Sequence, residues 1–318
     1  FGNALLVQNH SAGTVTFDAT SVINATSGPG FDFINADGTY RFLGTATLNA
    51  ADMGIDILSG SDGMFTFGSG VALTHGFTSG LQVANNQANV SYAGSITTNG
   101  TGRSVSVSGH STGTVTFETG SSINATAGGG LLFSNADGTY NFNGTATLNG
   151  GDAGIDILAG SGGTFSFGAG TSITSPTGSA FRLADSTAAV TYSGDITQAN
   201  NAALVDIAGH FAGTVTFDTG TLSATTGTGL QFNSGSATYN FNGTTTLNGG
   251  NVGIDLVNGS GGTFTFGSGT SVTAGGNNVA LNIDDSFSTV TYSGSLTHTG
   301  VNKAITVNQH QFGTIEFD

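Results

Sequence analysis

The sequence contains no cysteine, no tryptophan, two prolines and four basic residues among 318. Without cysteine there is no disulfide framework and no thiolate nucleophile. The bases Arg41, Arg103, Arg182 and Lys303 lie scattered against 19 acids, for a formal net charge of −15. Displacing counterions from phosphates takes clustered Lys and Arg, so the chain is expected to repel nucleic acid and anionic membranes. No apolar run approaches the ~18 residues of a spanning helix, and no membrane insertion by this segment is expected. Charged residues supply 7% of the chain, against about a quarter in ordinary globular domains.

What fills the space is glycine, at 54 residues, with Thr, Ser, Asn, Val, Ile and Phe. These are strand and turn formers. The glycines follow no Gly-X-Y period, which excludes collagen. The 23 Phe and 6 Tyr are too many and too evenly placed for a disordered tract. No window shows a helical period.

The segment GTVTF at 13–17 returns at 113–117 and 213–217, and as GTIEF at 313–317. NADGTY (35–40, 135–140), GTATLN (44–49, 144–149) and GIDIL (54–58, 154–158) recur in step. The repeats are therefore 1–100, 101–200 and 201–300, with a partial copy at 301–318. Each divides again by four. The second residue of an apolar-x-aromatic pattern falls on Phe17, Phe42, Phe67, Tyr92, Phe117, Phe142, Phe167, Tyr192, Phe217, Phe241, Phe266, Tyr292 and Phe317. The spacing is 25, with one 24 and one 26.

Each 25-residue unit reads as three short alternating strands, which cannot bury an apolar face alone and must stack on copies of themselves. The predicted fold is all-β: a right-handed parallel β-helix (β-solenoid) of about 12–13 coils, running as one domain over 1–318. At a strand spacing of about 4.8 Å the rod would be roughly 58 Å long. The thirteen aromatics would form one internal, offset stack, adding about 0.5–1.5 kcal/mol per pair beyond burial.

Aligned coils turn sequence into neighbourhood. His10, His110, His210 and His310 recur in every fourth coil, about 19 Å apart, too far to share a metal. With Asn35, Gly60 and Asn85 aligned to His10 in the coils between, the histidines read as copied turn residues. The outward residues of the first strands form a column: Leu6, Asp32, Asp56, Gln82, Ser106, Leu132, Asp156, Arg182, Asp206, Gln231, Asp255, Asn282 and Thr306. Arg182 between Asp156 and Asp206 predicts a surface ion-pair column worth about 0–1 kcal/mol per pair. The alternative is a carboxylate pair about 9.6 Å apart, near the separation of inverting glycosidases. Adjacent Asp32 and Asp56 would share a proton or hold Ca²⁺.

Outward Thr-x-Thr rows on the second strands resemble the ice-binding face of some antifreeze solenoids. Arg41, Met64, Asn89, Asn141 and Glu316 interrupt them, and threonine is in any case a good strand former. The N-x-[ST] triplets at Asn24, Asn124 and Asn242 arise by chance in so Asn- and Thr-rich a chain.

The coil GIDILAGSGGTFSFGAGTSIT (154–174) resembles the repeats of bacterial surface and secreted proteins with right-handed β-helix passengers, such as autotransporters and filamentous-haemagglutinin-like exoproteins. The resemblance implies an extracellular or cell-surface location and a role as stalk, fibre, matrix component or adhesin. Host or matrix glycans are then the expected partners. No capping helix, translocator barrel or secretion domain accompanies the coils. Grafted sites usually sit on longer irregular loops, and the near-constant coil length leaves no room for one, so a non-enzymatic solenoid without cofactor is expected. The alternatives are a carbohydrate-active β-helix enzyme or a solenoid binding ice, calcium or glycan. Both ends read as open strand edges, which predicts continuation of a longer chain or end-to-end self-association.

Overall fold

A computed structural model describes residues 2–50, 54–249 and 253–318. The chain is all-β: three parallel sheets wound in about 12 coils of ~25 residues, a β-solenoid. Among the described residues no helix is long and apolar enough to cross a membrane. Each coil gives one strand to each sheet, as in Phe31–Ala36, Thr39–Phe42 and Thr45–Asn49. Alternation decides which side is dry. Phe31, Phe33, Tyr40, Phe42 and Leu48 are buried, while Arg41, Thr45 and Thr47 between them are exposed.

Contacts group the chain into two compact units, Phe1–Ala153 with Ser161–Thr171, and Gly154–Gly160 with Ser172–Asp318. In the first unit, the first sheet runs Leu5–His10, Phe31–Ala36, Ile55–Leu58, Leu81–Asn86, Arg103–His110 and Gly129–Ala136, each parallel to the next. In the second, Phe181–Ser186, Ala203–His210, Gly229–Asn233, Gly253–Val257, Leu281–Ser286 and Ile305–His310 pair in the same manner.

The second sheet points its rings inward. In the first unit Phe17, Phe42, Phe67, Tyr92, Phe117, Phe142 and Phe167 form a ladder with centroids 4.7–6.0 Å apart. In the second, Tyr192, Phe217, Phe241, Phe266, Tyr292 and Phe317 form another, at 5.0–6.0 Å. The internal aromatic stack expected of them forms, in two geometries. Phe–Phe steps lie within 13–22° of parallel, whereas steps involving Tyr are tilted by 44–53°. Each fully buried tyrosine of these steps is also held at its tip. Tyr92 donates to the Ser95 carbonyl at 2.9 Å, Tyr192 to Asp195 at 3.2 Å and Tyr292 to Ser295 at 2.9 Å.

A second aromatic cluster recurs once per repeat. Tyr40 stacks on Phe65 at 4.9 Å and Phe33 meets Phe65 edge-on at 5.0 Å. Tyr140, Phe165 and Phe133 repeat it, as do Tyr239, Phe264 and Phe232. The interior therefore has a period of four coils as well as one.

Candidate functional site: the corner histidines and the acidic column

The histidines are not turn residues. Each ends a first strand, and His110 and His210 are fully buried. His110 Nδ1 lies 2.8 Å from the Tyr140 hydroxyl and Nε2 lies 3.0 Å from the Ala88 carbonyl. A carbonyl only accepts, so Nε2 carries the proton, and Nδ1 accepts from the tyrosine. The Gly138 amide donates to the same phenolic oxygen at 3.2 Å. His210 repeats the arrangement with Tyr239 and Ala188, at 3.0 Å each. His10 reaches Tyr40 at 2.7 Å. Burial holds His110 and His210 below the usual imidazole range. The ring fits because its neighbours are small. A Cβ on Gly138 would stand 2.8 Å from His110 Nδ1 and 2.7 Å from the Gly113 carbonyl.

The corner register also differs from the sequence alignment by one residue. Ala36 and Asn86 pair with the neighbouring histidines, and Ser61 stands between them, its Oγ accepting from the Ala36 amide. Asn35, Gly60 and Asn85 come one position earlier, at φ of 51°, 74° and 54°. They turn the chain through the left-handed region, where Asn and Gly are the residues of least cost. Just beyond the corner, acids cap the next coil. Asp37 Oδ1 accepts from the Asp62 amide at 3.1 Å, Asp62 from Gln87 at 2.7 Å and Asp137 from Gly162 at 2.8 Å.

The outward column of the first sheet has the expected neighbours. Asp156 lies in register with Arg182, and Arg182 with Asp206. Arg182 Nε is 3.6 Å from Asp206 Oδ2, with side chains 47% and 32% exposed. A guanidinium beside the carboxylate suits pairing better than proton transfer. At that exposure the pair is worth well under 1 kcal/mol. Asp32 and Asp56 are in register, and burial raises both above the usual carboxylate range, Asp56 to about 7. Among the described residues, no group of three or more His, Asp or Glu side chains is placed to hold a metal ion.

On the second sheet Thr214, Thr238, Thr263 and Thr289 align in one row, and Thr216, Asn240, Thr265 and Thr291 in the next. Asn240 and Asn141 donate to the hydroxyls of Thr216 and Thr116 at 3.4 Å, so the interrupting amides bind into the rows. In the first unit Met64, Asn89, Ser91 and Glu118 line a shallow depression on this sheet, where Ser91 donates to Glu118 at 2.7 Å.

Comparison with protein families, with curated proteins and with solved structures returns no match to this chain.

Proposed function

We propose that the chain is an extracellular structural or adhesive solenoid, a segment of a long surface protein or a protomer stacked head to tail into a fibre. One observation carries this reading: what the repeats keep and what they let vary. Inside, Phe33, Phe133 and Phe232 correspond, as do Tyr40, Tyr140 and Tyr239, and the buried histidines. On the wet face of the first sheet the second and fourth coils vary, as Asp32, Leu132 and Gln231, or Gln82, Arg182 and Asn282, and the third coil alone keeps its residue, an aspartate. Duplication that preserves packing and releases the surface supports a scaffold over a copied catalytic site. The ion pair at Asp206 supports a non-enzymatic role, because the carboxylate is already engaged. Host or matrix glycans are the partners we assign to the Thr- and Asn-rich outer rows of the second sheet.

Electron microscopy of the native material tests this. Fibres or surface spikes are expected. A population of single soluble particles of this chain's mass would overturn the reading.

A further inference from the structure

We propose that Asp32 and Asp56 form a proton-operated clasp between two adjacent coils of the first unit, closed when the pair shares one proton and open when both carboxyls are ionised. The repeats themselves make the case. The third coil of each repeat carries the same outward acid, Asp56, Asp156 and Asp255, and each stands beside a different partner. Asp156 is in register with the Arg182 guanidinium. Asp255 accepts from Gln231 Nε2 at 2.7 Å. Asp56 faces a second carboxyl, Asp32, at the position that Gln231 fills two repeats later. The geometry that an amide satisfies with a permanent donor is satisfied here only by a proton that can leave.

The surroundings hold that proton in place. Asn3 Nδ2 donates to Asp32 Oδ2, leaving Oδ1 for the neighbouring coil. Asp32 Oδ1 is buried and has no other donor among the described residues, so a protonated Asp56 carboxyl completes it. The other outward side chains of the packed strands, Leu6, Gln8, Ile34, Leu58, Gln82 and Ala84, carry no charge. Among the described residues of these strands, no base is there to neutralise a second carboxylate. Burial and the Asp32 charge therefore push Asp56 up to about 7. A folded-state value above the unfolded one gives stabilisation that is full below about pH 4, falls as pH rises, and is gone past the folded value. Above neutrality two like charges oppose each other across parallel strands, which is unfavourable.

Hydrogen exchange of the whole chain, read by mass spectrometry at pH 5.5 and 8.5 and corrected for intrinsic rates, tests the clasp. Opening of segments 31–36 and 55–58 is expected to rise about tenfold or more with pH, since one unit of linkage is a factor of ten. Segments 229–233 and 253–257, held by the Gln231 amide, are expected to stay unchanged. Asp32→Asn, which installs the amide, is expected to flatten the response. Carboxyl carbon-13 titration of the unsubstituted chain gives a second readout, with one carboxyl expected to titrate near neutrality. Equal protection at both pH values, a pH response retained in Asp32→Asn, or two carboxyls titrating near 4 would each overturn the proposal. Closure of the same segments at pH 8.5 by millimolar calcium would also overturn it, assigning the pair to a cation.

Discussion

His110 is joined to Tyr140 across 2.8 Å, from Nδ1 to the phenolic oxygen, while the far nitrogen of the same ring reaches the Ala88 carbonyl. Ala88 precedes the second strand of one coil, His110 ends the first strand of the next, and Tyr140 lies in the coil after that. One imidazole thus bolts three successive coils together.

Replacing His110 by Leu removes both bonds and leaves a buried hydroxyl and carbonyl short of a partner. The expected cost is about 2–4 kcal/mol, measured by urea unfolding. The pH dependence has a definite sign. Burial holds the folded-state pKa below the unfolded value of about 6.5. The stabilisation is therefore present above that pH and lost as pH falls through the folded value. Between pH 7.5 and 5 the unsubstituted chain should lose more stability than His110→Leu.

Tyr92→Phe removes the hydroxyl that holds the tip of the ring, and so tests whether that bond sets the tilt. Its loss leaves the Ser95 carbonyl, now 2.9 Å away, without that donor, at about 1 kcal/mol. The freed ring should settle toward its neighbours, from 47° and 53° to roughly the parallel of the Phe–Phe steps. A crystal structure of the variant reads the angle directly, and an unchanged tilt would refute the tether.

Asn135 sits at φ 51°, where the corresponding corners carry Gly109 and Gly209 at 60° and 61°. Asn135→Gly should therefore be tolerated within about 1 kcal/mol. Asn135→Val places a branched Cβ in the left-handed region and should cost about 1–2 kcal/mol or more. Thermal melts of the two variants should separate clearly.

Arg182→Gln should change stability by less than about 0.5 kcal/mol, as expected of an exposed pair. Asp206→Asn should be equally silent in any assay of polysaccharide cleavage. A large loss in either experiment would restore the catalytic alternative for this column.

Much of this architecture was legible because side-chain alternation has a period of two. Once Val15/Phe17 and its copies were aligned, the outward column from Leu6 to Thr306 followed, and the strand pairings along it, Arg182 with Asp206 among them, agree. The corner was misaligned for a local reason. In the third coil of each repeat two consecutive residues enter the left-handed region, Ser59–Gly60, Ala159–Gly160 and Asn258–Gly259, where the second and fourth coils use one. The register steps in the first sheet then alternate, from Leu5 to Phe31 to Ile55 to Leu81, under an average of 25. The histidine bolts were missed because each ring was compared with its own column. A signal was present across columns: Tyr40, Tyr140 and Tyr239 follow His10, His110 and His210 by 30, 30 and 29 residues.

The bolts also govern how such a chain can grow. Insert a single coil after His110 and the imidazole meets a coil that offers no phenol, as those of Phe65 and Val90 do not. Insert four and every imidazole still finds its tyrosine. Duplication of a whole four-coil block thus keeps every histidine beside its tyrosine wherever the block is inserted. The hundred-residue period is a change of length that leaves each bolt intact.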